Sequence, residues 1–248
     1  VERDMLVESD SVISVSPAMT HTIKVNYSEI TPLTIPNMVD TSIFKPDSQE
    51  RRQQRRQLNL DGKEVLVFTG IPGGRYDPER MADAVKLFCN AFGDKAFFLL
   101  LTKADSKRLA PISRELEKRG LKKHLHWNTA DRNPDQIAAT LTAADWSLLI
   151  LGDFPTSETF LPIKLGEYLA SGLPVITSCK NYNISELIGR EKAGIALCGC
   201  SGPDELRERM DNDRESMKEN CIRLSAEKFS LDKFSRDYES LYIKLTGK

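Results

Sequence analysis

No stretch of the 248 residues approaches the roughly 20 consecutive apolar side chains that a helix needs to cross a bilayer. The opening VERDMLVESD has neither the basic start nor the apolar run of a secretory signal. Net charge is equally scarce. Lys+Arg 35 against Asp+Glu 36 leaves -1, so no global field draws a polyanion, and nucleic acid is not an expected partner. Histidine is rare, and His21, His124 and His126 have no catalytic residue types beside them; the last two alternate on a short run that reads as structural, and His21 is available to a cleft. The five cysteines, Cys89, Cys179, Cys198, Cys200 and Cys221, are odd in number and scattered, which argues against a disulfide framework and for a reduced, cytoplasmic compartment. Cys198-Gly-Cys200 lacks the second Cys/His pair of a zinc site and reads as two small apolar residues ending a strand. Phosphate-loop signatures are missing too. TGIPGGRYDP (Thr69 to Pro78) is rich in glycine, but no Gly-Lys-Ser/Thr follows it and it is not Gly-x-Gly-x-x-Gly; a plain turn also explains it.

What the chain does have is a regular alternation. Near-continuous apolar runs predict strands covered on both faces at EVLVFTG (Glu64 to Gly70), AFFLLL (Ala96 to Leu101), Leu125 to Trp127, Trp146 to Leu151 and Pro174 to Thr177. Helical spacing predicts helices between them, at Pro78 to Phe92, Arg108 to Arg119 and Pro134 to Ala143, the last capped by Asp131 or Asn133. Strands and helices in this order imply an α/β fold: a Rossmann-like, doubly wound parallel sheet. Such sheets bind ligands at the carboxyl ends of their strands, where Gly70 to Arg75, Thr102 to Lys103, Gly152 to Phe154 and Ser178 to Asn181 converge. Two helices, Asp204 to Met210 and Glu215 to Phe229, precede a terminal helix from Leu231 to Leu245 with Phe234, Tyr238, Leu241 and Tyr242 on one face. Ahead of the sheet, the polar run Asp47 to Leu60 predicts a short helix carrying Arg51, Arg52, Arg55 and Arg56. It reads as a solvated face or as a weak peripheral contact for anionic lipid head groups.

One stretch stands out, FPTSETFLPIKLGEYLASGLPVIT (Phe154 to Thr177). It reads as a loop, a helix opened by Pro162 and broken at Gly172, then a buried strand. A helix start at the end of a parallel strand offers unpaired N–H groups and positive dipole to a phosphate. Lys164 lies in that first turn, and Glu167 follows within reach of a ligand's hydroxyls.

PIKLGEYLASGLPVI is similar to the P-x-K-x-x-E-Y-x-A-x-G-x-P-V-I segment of family 4 nucleotide-sugar glycosyltransferases, which place two glutamates eight positions apart before Gly-x-Pro-Val. IPNMVDTSIFKP resembles that family's I-P-N-G-V-D-x-x-x-F-x-P junction signature, with Met38 at the usual glycine. ERDMLVESDSVISVS and FSLDKFSRDYESLYIKL resemble the end of its N-terminal domain and its terminal helix. The resemblance implies the C-terminal half of a two-domain GT-B enzyme: 1–45 a remnant of the acceptor domain and junction, 46–228 the nucleotide-sugar domain, and 229–248 a helix returning toward the N-terminal domain. It implies donor contacts from Gly70, from the turn Pro162, Ile163 and Lys164, and from Glu167 to the ribose. In the glycine-rich loop Ile71 replaces the family's arginine, leaving Arg75 and then Arg80 as phosphate cations. Lys103, where the family has glycine, reads equally as a second phosphate contact or a solvated loop lysine. Glu186 in NISELI resembles the glutamate of a G-x-x-E-x-I turn, or is a helix-start carboxylate favoured by the dipole. At the catalytic position, eight before Glu167, stands Thr159, with Glu158 one residue out of register.

By resemblance the reaction is retaining and needs no metal or other cofactor. A sugar passes from a nucleoside diphosphate donor of UDP or GDP type to a glycan or lipid-linked acceptor, as in polysaccharide assembly, and the missing N-terminal domain is the first partner. The chain alone is then expected to be an inactive fragment. Thr159 and Ile71 keep open a non-catalytic sugar-nucleotide-binding or protein-interaction module of the same fold. A flavodoxin-type domain explains the alternation but not IPNMVD or the Pro-Ile-Lys run.

Overall fold

The computed structural model describes residues 2–128, 133–179 and 182–247. A small leading segment consists of α1 (Glu2–Val7), β1 (Ile13–Ser14), α2 (Pro17–Asn26) and β2 (Leu33–Thr34), with β1 and β2 paired in parallel. From there α3 (Ser48–Gln57) leads into β3 (Glu64–Thr69), α4 (Pro78–Phe92), β4 (Ala96–Leu101), α5 (Ser106–Lys118), β5 (Leu125–Asn128), α6 (Pro134–Thr142) and β6 (Trp146–Leu149). The chain continues with α7 (Ile163–Ala170), β7 (Val175–Thr177), α8 (Tyr182–Arg190), β8 (Gly194–Ala196), α9 (Pro203–Lys228) and α10 (Leu231–Thr246).

The expected doubly wound sheet is present. Its order is β5-β4-β3-β6-β7-β8, every pairing parallel. The chain winds outward from β3 to β5 and then crosses to β6 on the other side, so the direction of winding reverses between β3 and β6. At such a switch point the two flanking connections leave in opposite directions and open a crevice. Both faces of the sheet are covered, and successive residues of one strand therefore enter different cores. Leu66 and Phe68 pack with Met81, Val85 and Phe88 of α4, whereas Val65 and Val67 pack with Leu165, Tyr168 and Leu169 of α7.

Three expectations are corrected by this packing. The two helices read at 204–210 and 215–229 are the single α9, whose polar midsection faces outward except at Arg214, which bonds Glu64 and lies 5.2 Å over the Trp146 ring. The cysteines are not all free thiols: Cys179 and Cys198 form a disulfide with their Cα atoms 5.6 Å apart. Parallel register explains the pairing. Thr177 of β7 lies opposite Ala196 of β8, and each cysteine follows two residues later. Cys198 belongs to a single 3₁₀ turn, Leu197–Gly199, past the strand. With a disulfide present, cysteine usage no longer argues for a reduced compartment.

The four arginines of α3 are likewise not one open patch. Arg51 and Arg55 turn inward to Asp145, at 2.6 Å and 3.2 Å, and to the carbonyls of Thr142, Ala143 and Ala144 at the end of α6. Only Arg52 and Arg56 of that set are exposed, half the charge supposed for a lipid contact. Among the described residues no helix is long and apolar enough to cross a membrane. Asp131 and Asn181, named above as a cap and a loop residue, lie outside the described residues; Asn133 caps α6 through the Gln136 N–H.

Asp145 is a buried carboxylate whose side chain is 6% exposed, held by the guanidinium groups of Arg51 and Arg55, with that of Arg214 at 3.9 Å, and by the Val65 N–H at 2.9 Å. Truncating one partner of such a network strands the others without water. Asp145→Ala is expected to lower the unfolding free energy by about 3–5 kcal/mol in urea melts. A loss below about 1 kcal/mol would show that the network behaves as a solvated surface pair.

Candidate functional site

At the switch point the β3 ladder gives out early, since β6 pairs only with Leu66 and Val67. The end of β3 turns to α7 instead. Thr69 N–H donates to the Tyr168 hydroxyl at 2.8 Å, and the Lys164 ammonium donates to the Thr69 carbonyl. Lys164 and Tyr168 are four residues apart and share a helix face, so one face of α7 satisfies both backbone groups of one residue. Apolar and small residues on the rest of α7 bury it: Leu165, Gly166, Tyr168, Leu169 and Ala170 are all buried.

The start of α7 is fixed from the junction segment. Asn37 donates to the Leu161 carbonyl at 2.6 Å, and Val39 bridges to the C-terminal crossing through Val39 N–H to Phe229 O, 2.8 Å, and Leu231 N–H to Val39 O, 3.0 Å. Met38 needs no left-handed turn; among the described residues other than glycine only Asn59 and Lys192 have positive φ. Helices α2, α3, α4, α5, α6 and α10 are each closed by a side-chain acceptor, from Ser16, Asp47, Asp77, Asp105, Asn133 and Ser230. Helix α7, like α9, is not: Pro162 stands at its cap position and has no acceptor to offer. Its first N–H groups and dipole are left for another partner.

That end opens on a cleft of about 380 Å³ lined by Asn37, Thr69, Gly70, Tyr76, Leu101, Ile137, Phe160, Pro162, Ile163, Lys164 and Glu167. Five of the sequence-predicted donor residues, Gly70, Pro162, Ile163, Lys164 and Glu167, are therefore brought together. Gly70 is favoured by its φ of +107°, and a Cβ there would lie 3.0 Å from the Lys164 ammonium and press on it. That ammonium sits 4.0 Å from the Phe68 ring centroid and 3.8 Å from that of Tyr76. Burial pushes its pKa down to about 7, with Glu167 opposing the shift. Burial also raises the Glu167 carboxyl above its usual range, partly offset by Lys164. No described residue hydrogen-bonds the Glu167 carboxylate, so its oxygens are open to the cleft.

The centre of the glycine-rich loop is a tight turn. Gly73 and Tyr76 exchange backbone hydrogen bonds at 2.9 Å and 3.2 Å around Gly73 and Gly74, both at positive φ. The turn sends Tyr76 inward and Arg75 outward. Arg75 is exposed at the rim, its guanidinium 4.5 Å from the Phe160 ring centroid and 5.7 Å from that of Phe154. Arg80 is engaged, paired with Asp153 at 2.7 Å and Asp77 at 3.3 Å.

The remaining predicted residues lie elsewhere. Lys103 is exposed beyond β4 and is not part of the cleft lining. Glu186 is exposed on α8 and lines a separate groove of about 410 Å³ with Arg190, Phe229 and Phe234. Glu158 is exposed on the turn before α7; Thr159 is half-buried there, its hydroxyl bonded to the Thr156 carbonyl at 3.1 Å and its carbonyl held by Ser16 at 2.8 Å. His124 is buried with Nδ1 3.0 Å from the Ala96 carbonyl oxygen, and His21 and His126 are exposed. Among the described residues no three His, Cys, Asp or Glu side chains are grouped to hold a metal ion. Tyr76, Tyr168 and Asn37 were not singled out from the sequence. Tyr168 had a signal in its four-residue spacing from Lys164, and Asn37 had one in the IPN motif.

Comparison with known proteins bears on the fold. No curated protein matches the chain. Among solved structures it is similar to WaaG, a glycosyltransferase involved in lipopolysaccharide biosynthesis (TM-score 0.67, 17% identity, 86% of this chain and 58% of that one). It is also similar to Anabaena HepE in complex with UDP and glucose (TM-score 0.71, 14% identity, 95% and 64%). A third likeness is the C-terminal domain of LpcC, a glycosyl transferase group 1 family protein from Francisella tularensis (TM-score 0.56, 16% identity, 78% and 99%). The chain thus spans about three fifths of WaaG and HepE and nearly all of the LpcC domain. These likenesses show the Rossmann-like fold of a GT-B C-terminal half. The family model for glycosyl transferases group 1 matches residues 50–221, from α3 through most of α9, and the chain belongs to that family.

Proposed function

We propose that this chain supplies the donor side of a glycosyltransferase that uses a nucleoside diphosphate sugar. The observation that carries the reading is the convergence, in one cleft at the switch point, of an uncapped helix start, a caged ammonium and an open carboxylate. In this reading the diphosphate sits on the first N–H groups of α7 beside Lys164, and Glu167 receives the ribose hydroxyls. As the sugar departs, negative charge grows on the leaving diphosphate; fixed N–H dipoles and a cation already in place stabilise it without reorganising. Arg75 completes the charge from the rim, its stacked guanidinium keeping N–H groups at the edge.

The finer points belong to the same proposal. A UDP or GDP donor, a retaining outcome, metal independence and the division at 46–228 and 229–248 rest on the family resemblance, and HepE binding UDP supports the nucleotide class. A glycan or lipid-linked acceptor is supported by WaaG's part in lipopolysaccharide biosynthesis. The portions of WaaG and HepE that this chain does not span support an acceptor domain contributed outside these residues, so that the chain alone binds nucleotide and transfers nothing. One observation favours the second reading, a non-catalytic module: Glu158 lies outside the cleft lining and the polar groups of Thr159 are engaged elsewhere. Sugar transfer by a protein containing this chain would decide against it.

Titration calorimetry against UDP, GDP and ADP, with and without Mg²⁺, is the test. One nucleotide is expected to bind without metal, and Glu167→Ala to weaken it about tenfold to a hundredfold through the lost charged hydrogen bonds. No binding by folded protein would contradict the reading. The protonation of Lys164 gives a second check. Its pKa near 7 leaves it largely neutral at pH 8 in the free chain. An anion favours the charged form, so binding at pH 8 is expected to take up a proton, and affinity to fall as pH rises above 7. Calorimetry in buffers of different ionisation enthalpy measures that uptake; pH-independent binding without it would contradict the placement of the diphosphate at Lys164.

A further inference from the structure

An ammonium that must meet a diphosphate faces a conflict. A carboxylate would hold it in place but would neutralise it and repel the ligand, whereas water would leave a flexible four-carbon stem unfixed. Aromatic faces solve this differently, because the ring quadrupole attracts a cation without cancelling its charge. Lys164 has that arrangement. No described carboxylate forms a salt bridge with it; the Thr69 carbonyl accepts one N–H, and the Phe68 and Tyr76 rings lie 4.0 Å and 3.8 Å from its nitrogen.

The two rings have different origins. Phe68 is a fully buried strand residue that packs in the sheet core. Tyr76 comes from the glycine-rich loop, where the Gly73 turn and a bridge from Tyr76 to Leu151 hold it over α7. Its ring meets Phe68 edge to face at 5.2 Å, and it lines the cleft beside Glu167.

Resting on the donor reading above, we propose that Tyr76 is a positioning residue: its ring face holds the Lys164 ammonium against the Thr69 carbonyl and presents its charge to the diphosphate. The loop that resembles a phosphate cradle thus acts on the phosphates through an aromatic lid over a lysine. The other titratable groups around the ammonium are Glu167 on its own helix and Tyr168 beneath it; Arg75, next to Tyr76, is turned away onto Phe160.

The test compares Tyr76→Phe with Tyr76→Leu, each checked for folding by circular dichroism, using whichever of UDP, GDP and ADP the wild-type chain binds. Tyr76→Phe keeps the face and is expected to bind within about twofold of wild type. Tyr76→Leu removes it and is expected to bind about tenfold more weakly. In the ligand-free protein the Lys164 ε-methylene protons are expected upfield under two ring faces, to stay there in Tyr76→Phe and to move downfield in Tyr76→Leu. Undiminished binding by folded Tyr76→Leu, or an equal loss in Tyr76→Phe, overturns this inference alone. Absence of binding by the folded wild-type chain overturns the donor reading and this inference with it.

Discussion

Everything at the cleft depends on how the end of β3 is held. A strand at a switch point loses its ladder partner on one side just where a ligand must enter, and its backbone groups need partners that leave the crevice open. Here α7 provides them: Tyr168 takes the Thr69 N–H and Lys164 gives to the Thr69 carbonyl. The same helix is then oriented so that its uncapped start and Glu167 face the opening. A structural clamp and the proposed ligand site share one helical face, and Lys164 belongs to both.

The architecture was largely legible because it follows from periodicity. Runs such as EVLVFT and AFFLLL have no polar alternation, which is what burial on both faces requires, and the helices between them carry aspartate or asparagine caps where the sequence shows them. The place of the cleft was legible too, since the proline-opened helix after a parallel strand lines it. Pairings between distant residues were not. Asp145 meets Arg51 and Arg55 across some ninety positions, and Cys179 meets Cys198 only through the β7 and β8 register. Arg75 and Tyr76 are neighbours with opposite destinations, decided by a turn whose geometry no spacing rule specifies. The α9 midsection read as a break because its apolar residues stop between Met210 and Met217, yet Arg214 serves the sheet end from there.

Charge balance at the cleft follows from burial more than from pairing. Desolvation lowers the Lys164 pKa and raises that of Glu167, so each group lies closer to neutrality than it would in water. In the proposed reading a diphosphate and a ribose restore the preference each group has lost, the anion for the ammonium and hydroxyl donors for the carboxylate. The site is thereby suited to a ligand carrying both features at the right separation.

The most direct measurement is a crystal structure of the chain with its bound nucleoside diphosphate. The account predicts the distal phosphate on the N–H groups of Ile163 and Lys164 and the ribose at Glu167, with Tyr76 still over the Lys164 ammonium. A nucleotide seated in the groove beside Glu186 and Phe234, or a diphosphate held only by Arg75 at the rim, would contradict it.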